Sequence, residues 1–161
     1  MQIAAFLADQ QVDFESVPHA PAFSANMLAK YLRVSGSQVA KAVLLYGNEG
    51  FLLAILPATH RIDMRLLERE LGGTFRLATD QEMAWMFSDC EWGVVSPFGT
   101  LYGLSTLLED SISPDALMTF ESQSHFNALR LKCSDYERLE HPRRLRFAVP
   151  VTPNPIQGSQ N

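Results

Sequence analysis

The stretch VAKAVLLYGNEGFLLAILP, residues 39–57, constrains the fold more than any other part of the chain. Two apolar runs flank Asn48-Glu49-Gly50, and such runs on either side of an N-x-G turn read as a β-hairpin. Alternate residues of a strand share a face, so Val39, Lys41, Val43 and Leu45 point the same way. Three of the four are apolar, which turns that face inward. Lys41 is the exception. An inward ammonium is costly unless it is paired or stands at the mouth of a cavity. The alternative is a lysine near the strand's start, its stem on apolar surface and its head in water. Pattern alone leaves both placements open.

The rest of the chain mixes hairpins with short helices. Ile3, Phe6 and Leu7 have helical spacing, and Val12, Phe14 and Val17 alternate as in a strand. Ser24 is placed to cap a helix over 25–32, and Asp63 one over 64–71 that stops at Gly72-Gly73. TFRLA, residues 74–78, reads as a short strand. Thr79 and Glu82 form a capping box ahead of MAWMF, and Ser134 with Glu137 forms a second ahead of a helix at 135–140. LSTLLED, MTFES and FNALRLKC read as further strands, with a turn at Ser113-Pro114-Asp115. This order is not strict βαβ alternation, and it favours an α+β domain with a mixed sheet. One domain is expected over residues 1–148. Residues 149–161, uncharged and holding prolines and a glycine, are expected to be an extended or disordered tail.

A second segment, CEWGVVSPFGTLYG at 90–103, holds Gly93, Pro97 and Gly99 among Val94, Val95, Phe98 and Leu101. It is expected to run as a strand and then a loop. A core strand tolerates neither the proline nor the glycines well. An ordinary β-turn accounts for Pro97 and Gly99. A loop that brings bare backbone to a ligand accounts for Gly93 and the apolar company too.

Composition narrows the function classes. A chain of 161 residues, 47% hydrophobic and 19% charged, suits one globular domain with a real core. The apolar runs are too short to span a membrane, and the acidic start lacks the basic region of a signal peptide, so the cytoplasm is the expected compartment. Net charge is −5, which argues against autonomous tight binding to nucleic acid. The one dense basic cluster, residues 141–146, reads as a solvated edge. Cys90 and Cys133 fit no disulfide framework or CxxC pattern and read as reduced thiols. His19, His60, His125 and His141 are scattered without metal-ligand spacing, so no metal site and no cofactor are expected. His19 and His125 lie between elements, where they can line a cleft. No G-x-S-x-G elbow supports a hydrolase triad.

In order along the chain come HAPAFSA, VAKAVLL, LPATHRIDMRLLERELG, FSDCEWG, GVVSPFG and SHFNALRLKCSDYERL. This succession resembles the YbaK/EbsC-type family of aminoacyl-tRNA editing domains, relatives of the insertion domain of bacterial prolyl-tRNA synthetases. The resemblance spans roughly residues 15–140. It implies a mixed sheet curved into a partly closed, barrel-like form with helices around it. It implies hydrolysis of the ester between a wrong amino acid and the terminal adenosine of a tRNA. Lys41 matches the family's signature lysine and Gly93 its G-x-x-x-P loop; both are expected to be catalytic. His19, Phe23, Ser24, Ser96, Pro97, Phe98, Gly99, Ser124 and His125 are expected to bind substrate. Ala42 departs from the asparagine common after the lysine in the alanine-specific branch.

The chemistry needs little apparatus. An aminoacyl ester is already activated, so a positioned water and a stabilised oxyanion suffice. The expected partner is a mischarged tRNA, bound weakly or with the help of a synthetase. The alternative, from another class, is a non-catalytic module that binds a nucleotide or tRNA end in the same pocket. A small-molecule hydrolase is the third reading.

Overall fold

The computed structural model describes residues 3–22 and 24–151. The 39–57 hairpin forms as read: β2 (Ala40–Gly47) pairs antiparallel with β3 (Gly50–Pro57), with Gly47 opposite Gly50 across Asn48-Glu49. These strands lie at the centre of a five-stranded sheet. Its edges are β5 (Arg76–Leu77), beside β2, and β6 (Ser105–Glu109) then β9 (Arg143–Leu145), beyond β3. The β3–β6 and β6–β9 pairs are parallel, so the sheet is mixed. A second, antiparallel sheet sets β8 (Ser124–Lys132) between β1 (Phe14–Pro18) and β7 (Leu117–Ser122). Two short strands, β4 (His60–Ile62) and β10 (Ala148–Pro150), make a third sheet. The architecture is α+β. The described strands make three sheets and do not close into a barrel.

Both faces of β2 and β3 are covered, which is why these runs are apolar almost throughout. On one face Leu44, Leu53 and Ile55 join Met118, Phe120, Leu129 and Leu131 of the second sheet. Ile3 and Leu7 of α1 (Ile3–Asp9) enter the same core. On the other face Leu45, Ala54 and Leu56 meet Leu67 of α3 (Met64–Leu71) and Phe147. A third, smaller cluster seats Leu28 and Ala29 of α2 (Ala25–Leu32) on Val39, Ala58 and Ala128. The caps of three helices follow the sequence. Ser24 Oγ accepts from Met27 N–H, and Asp63 Oδ1 from Arg65 and Leu66 N–H. Thr79 and Glu82 close their capping box at the start of α4 (Asp80–Met86).

Four features differ from the sequence reading. Residues 90–98 form no strand, and Gly99–Tyr102 is one 3₁₀ turn. The second capping box does not form. Helix α5 (Cys133–Glu140) starts earlier, its first N–H groups donating to the Ala116 and Pro114 carbonyls. Glu137 pairs instead with Arg144. The basic cluster is not simply solvated: residues 143–145 are strand β9, and Arg144 also lies beside Asp110. Val149 and Pro150, past position 148, belong to β10, and Val151 N–H donates to Thr59 O. Residues 152–161, the rest of the expected tail, lie outside the described residues.

Candidate functional site

A cleft opens where the two larger sheets part. A single parallel bridge, Val39 to Thr119, joins them just before β2. Two residues further along each strand, Lys41 and Glu121 both line one cavity of about 150 Å³. Its other walls include Ser24, Leu28, Gly93, Val95, Phe120 and His125. Four distant segments of sequence thus meet at one place: the start of α2, the start of β2, the 93–95 backbone and the β7–β8 hairpin.

Lys41 is half-buried and lines this cavity. Among the described residues its side chain makes no hydrogen bond or ion pair. Burial lowers its pKa from the usual lysine value.

His125 is 8% exposed and ties two loops together. Its Nδ1 lies 3.1 Å from Ala22 O and its Nε2 3.0 Å from Trp92 O. Carbonyl oxygens only accept, so both contacts are hydrogen bonds only if both ring nitrogens carry protons. Glu121 Oε1, 3.5 Å from Nδ1, supplies the balancing charge. Burial works against the charged ring, but the Trp92 carbonyl, Glu121 and the Ala22 carbonyl outweigh it and the pKa is raised. Backbone bonds complete the clamp: Glu91 N–H donates to Gln123 O, and Glu91 Oε2 accepts from His125 N–H.

The glycine–proline segment divides. Gly93 lies on the cavity with φ of +89°, a conformation that any side chain would strain. Ser96, Pro97, Phe98 and Gly99 do not line this cavity; they are buried in the core behind it. Phe98 packs against Phe6, Phe120 and Tyr136, and Tyr136 Oη donates to Pro97 O at 2.6 Å. A Cβ on Gly99 would come within 2.6 Å of Thr106 Oγ1. The reason these four leave the site is packing: apolar Phe98 and Pro97 are drawn into the largest core cluster.

Of the other residues expected to bind substrate, Ser24 is on the cavity and His19 and Ser124 are not among its lining. His19 Nδ1 faces Ala20 O, and its Nε2 is enclosed without a hydrogen-bond partner among the described residues. Ser124 Oγ accepts from Phe126 N–H. Phe23 lies outside the described residues. Sequence reasoning missed Glu121. Its one signal was a carboxylate in MTFES, a segment read as a strand, with His125 four residues on.

Among the described residues no group of three or more His, Cys, Asp or Glu is arranged to hold a metal ion. No helix among them is long and apolar enough to cross a membrane. Both thiols are raised by burial to a pKa of about 11, which keeps them protonated at neutral pH.

Solved structures share this fold at low identity. Hypothetical protein APE2540 superposes with a TM-score of 0.80 at 13% identity, over 92% of this chain and 100% of that one. A protein described as a candidate trans-editing enzyme for prolyl-tRNA synthetase gives 0.66 at 18% identity, over 84% and 87%. A candidate signal transduction protein from Marinobacter aquaeolei VT8 gives 0.64 at 21% identity, over 86% of this chain and 28% of that one. Among proteins of curated function no sequence matches. Residues 19–139 match the family model of the aminoacyl-tRNA editing domain, and the chain belongs to that family.

Proposed function

We propose that the protein is a deacylase that hydrolyses the ester joining a wrong amino acid to the terminal adenosine of a tRNA. The observation that carries this reading is the meeting of Lys41, Gly93 and His125 on one cleft of a domain of the editing family. In this reading the aminoacyl group enters the cleft and the nucleoside stays outside. A cavity of about 150 Å³ suits a group no larger than benzene. Water attacks the carbonyl carbon, the ester C–O bond breaks, and the ribose oxygen leaves with a proton. Lys41 meets the negative charge that develops on the carbonyl oxygen. Such a contact is typically worth on the order of a hundredfold or more in rate. Gly93 lets backbone approach the ester with no Cβ in the way. The reading needs no nucleophilic side chain, metal or cofactor.

The partner in this reading is a mischarged tRNA in the cytoplasm. A net charge of −5 favours weak binding, supplemented by a synthetase that raises the local concentration of substrate. The test is a deacylation panel in which the purified protein meets tRNAs carrying non-cognate amino acids. Release of one amino acid or a small set, well above the uncatalysed rate, supports the reading. If no aminoacyl-tRNA is cleaved but a nucleotide or tRNA end still binds, the chain is a binding module.

A further inference from the structure

The proposed substrate carries two charges of interest, and the mechanism above uses one. The carbonyl oxygen becomes negative during reaction. The α-amino group is an ammonium from the start, and burying it without an anion is costly. Glu121 is the only carboxylate among the described residues that line the cleft. It stands across the Val39–Thr119 seam from Lys41, two residues beyond the bridge on the neighbouring segment. No ion pair joins the two among the described residues, although both line one small cavity.

The backbone at Glu121 is irregular. The β7–β8 register slips between Glu121 and Ser122, after which Ser122 pairs with Ser124. Bulges of this kind re-aim side chains and recur beside active sites. Here Phe120 and Glu121, consecutive residues of one strand, both line the cleft. The contact to His125 Nδ1 at 3.5 Å engages one carboxylate oxygen, and a carboxylate has about four acceptor positions. His19 and Glu91 act on it electrostatically, the first favouring its charge and the second opposing it.

We infer that Glu121 is the recognition group for the α-ammonium of the aminoacyl ester, so that the cleft reads a free amino acid and rejects acyl groups lacking that charge. This rests on the deacylase reading. Burial raises the carboxyl's pKa, so an arriving ammonium would also favour its charged form. The cleft then matches the reacting group at both ends, with Glu121 on the ammonium and Lys41 on the oxyanion.

The experiment uses the tRNA that the wild type cleaves best, prepared in three forms: with its amino acid, with the N-acetylated amino acid, and with the α-hydroxy acid. With each kcat/KM divided by the uncatalysed hydrolysis rate of the same ester, the wild type should favour the first over both others by about 10- to 100-fold, the scale of one buried charge-assisted hydrogen bond. The α-hydroxy arm also controls for the bulk of the acetyl group. Glu121→Gln should lose most of the preference, its kcat/KM falling by a larger factor, mainly through KM, for the aminoacyl form than for the α-hydroxy form. A wild type that cleaves all three equally overturns the inference and leaves the deacylase reading standing, without need of any variant. So does a Glu121→Gln protein that retains the full preference. If the wild type cleaves no aminoacyl-tRNA, both readings fall together.

Discussion

Gly93 and Gly99 are six residues apart in one loop, and they are glycines for different reasons. At Gly93 a Cβ would find His125 Nε2 at an ordinary 3.6 Å, so space is not the constraint; the backbone at φ of +89° is. At Gly99 the backbone is unremarkable and space is the constraint, with Thr106 Oγ1 at 2.6 Å from where a Cβ would stand. The first half of the loop is shaped towards the cleft. The second half is packed into the core and anchored by Glu140. That buried carboxylate accepts from Thr100 N–H, Thr100 Oγ1 and Thr106 Oγ1, each at 2.8 Å. One half of the loop lines the cleft while the other is held in the core.

The sharpest break of this comparison is Glu140→Ala. It strips three donors of their acceptor at once: Thr106 Oγ1, which is buried, and the N–H and Oγ1 of Thr100, which is exposed and can turn to water. A buried donor left unsatisfied costs about 1–3 kcal/mol, so we expect a loss of stability of that order by urea denaturation; a loss below about 0.5 kcal/mol would mean that the carboxylate does not anchor the loop.

Exchanging the two glycines for alanine separates stability from activity. Gly99→Ala should cost about 1–3 kcal/mol through overpacking, with activity per folded molecule preserved. Gly93→Ala should cost about 1–2 kcal/mol through left-handed strain. It should also slow deacylation about tenfold or more, because a small displacement of positioning backbone is felt strongly in rate. Equal behaviour of the two variants in both assays would remove the distinction between the halves.

Much of this was legible in the sequence, and what was missed has local causes. The hairpin, the Ser24 and Asp63 caps and the first capping box depend on residues a few positions apart, and they form as read. Lys41 stood out because a charge interrupts an apolar alternation. The division of the glycine–proline loop was not legible. Ser96 to Gly99 resemble the ligand half in composition, and only the tertiary position of Tyr136, Thr106 and Glu140 draws them inward. Glu121 was missed because its orientation depends on a register slip. The second capping box failed because the turn at 113–116 already supplies acceptors for the first N–H groups of α5.

A smaller effect concerns the clamp between the 19–22 and 90–93 segments. His125 has a folded pKa raised above its ordinary 6.5, so the folded protein holds that proton more tightly than the unfolded chain. Its contribution to stability is complete below pH 6.5 and is lost as pH rises through the folded value. Melting of the wild type relative to His125→Ala, followed from pH 5.5 upward in steps of about half a unit, should show the gap narrowing over that window. A gap that widens with pH would mean that the ring is neutral and the clamp is not cationic.

The smallest expected effect is that of the thiols. Cys90→Ser and Cys133→Ser should leave kcat within about twofold of wild type, because thiols with a pKa of about 11 offer little thiolate at neutral pH. Loss of activity in either would point to covalent catalysis.

The central claim is that a half-buried lysine, sharing one cavity with the Gly93 backbone, meets the charge that develops on the ester. Single-turnover deacylation of the best substrate by Lys41→Ala measures this directly, with the melting temperature recorded alongside. The account predicts a fall of about a hundredfold or more in rate with melting little changed, since the Lys41 side chain makes no hydrogen bond or ion pair among the described residues. A folded Lys41→Ala protein that cleaves within about threefold of the wild-type rate would contradict it.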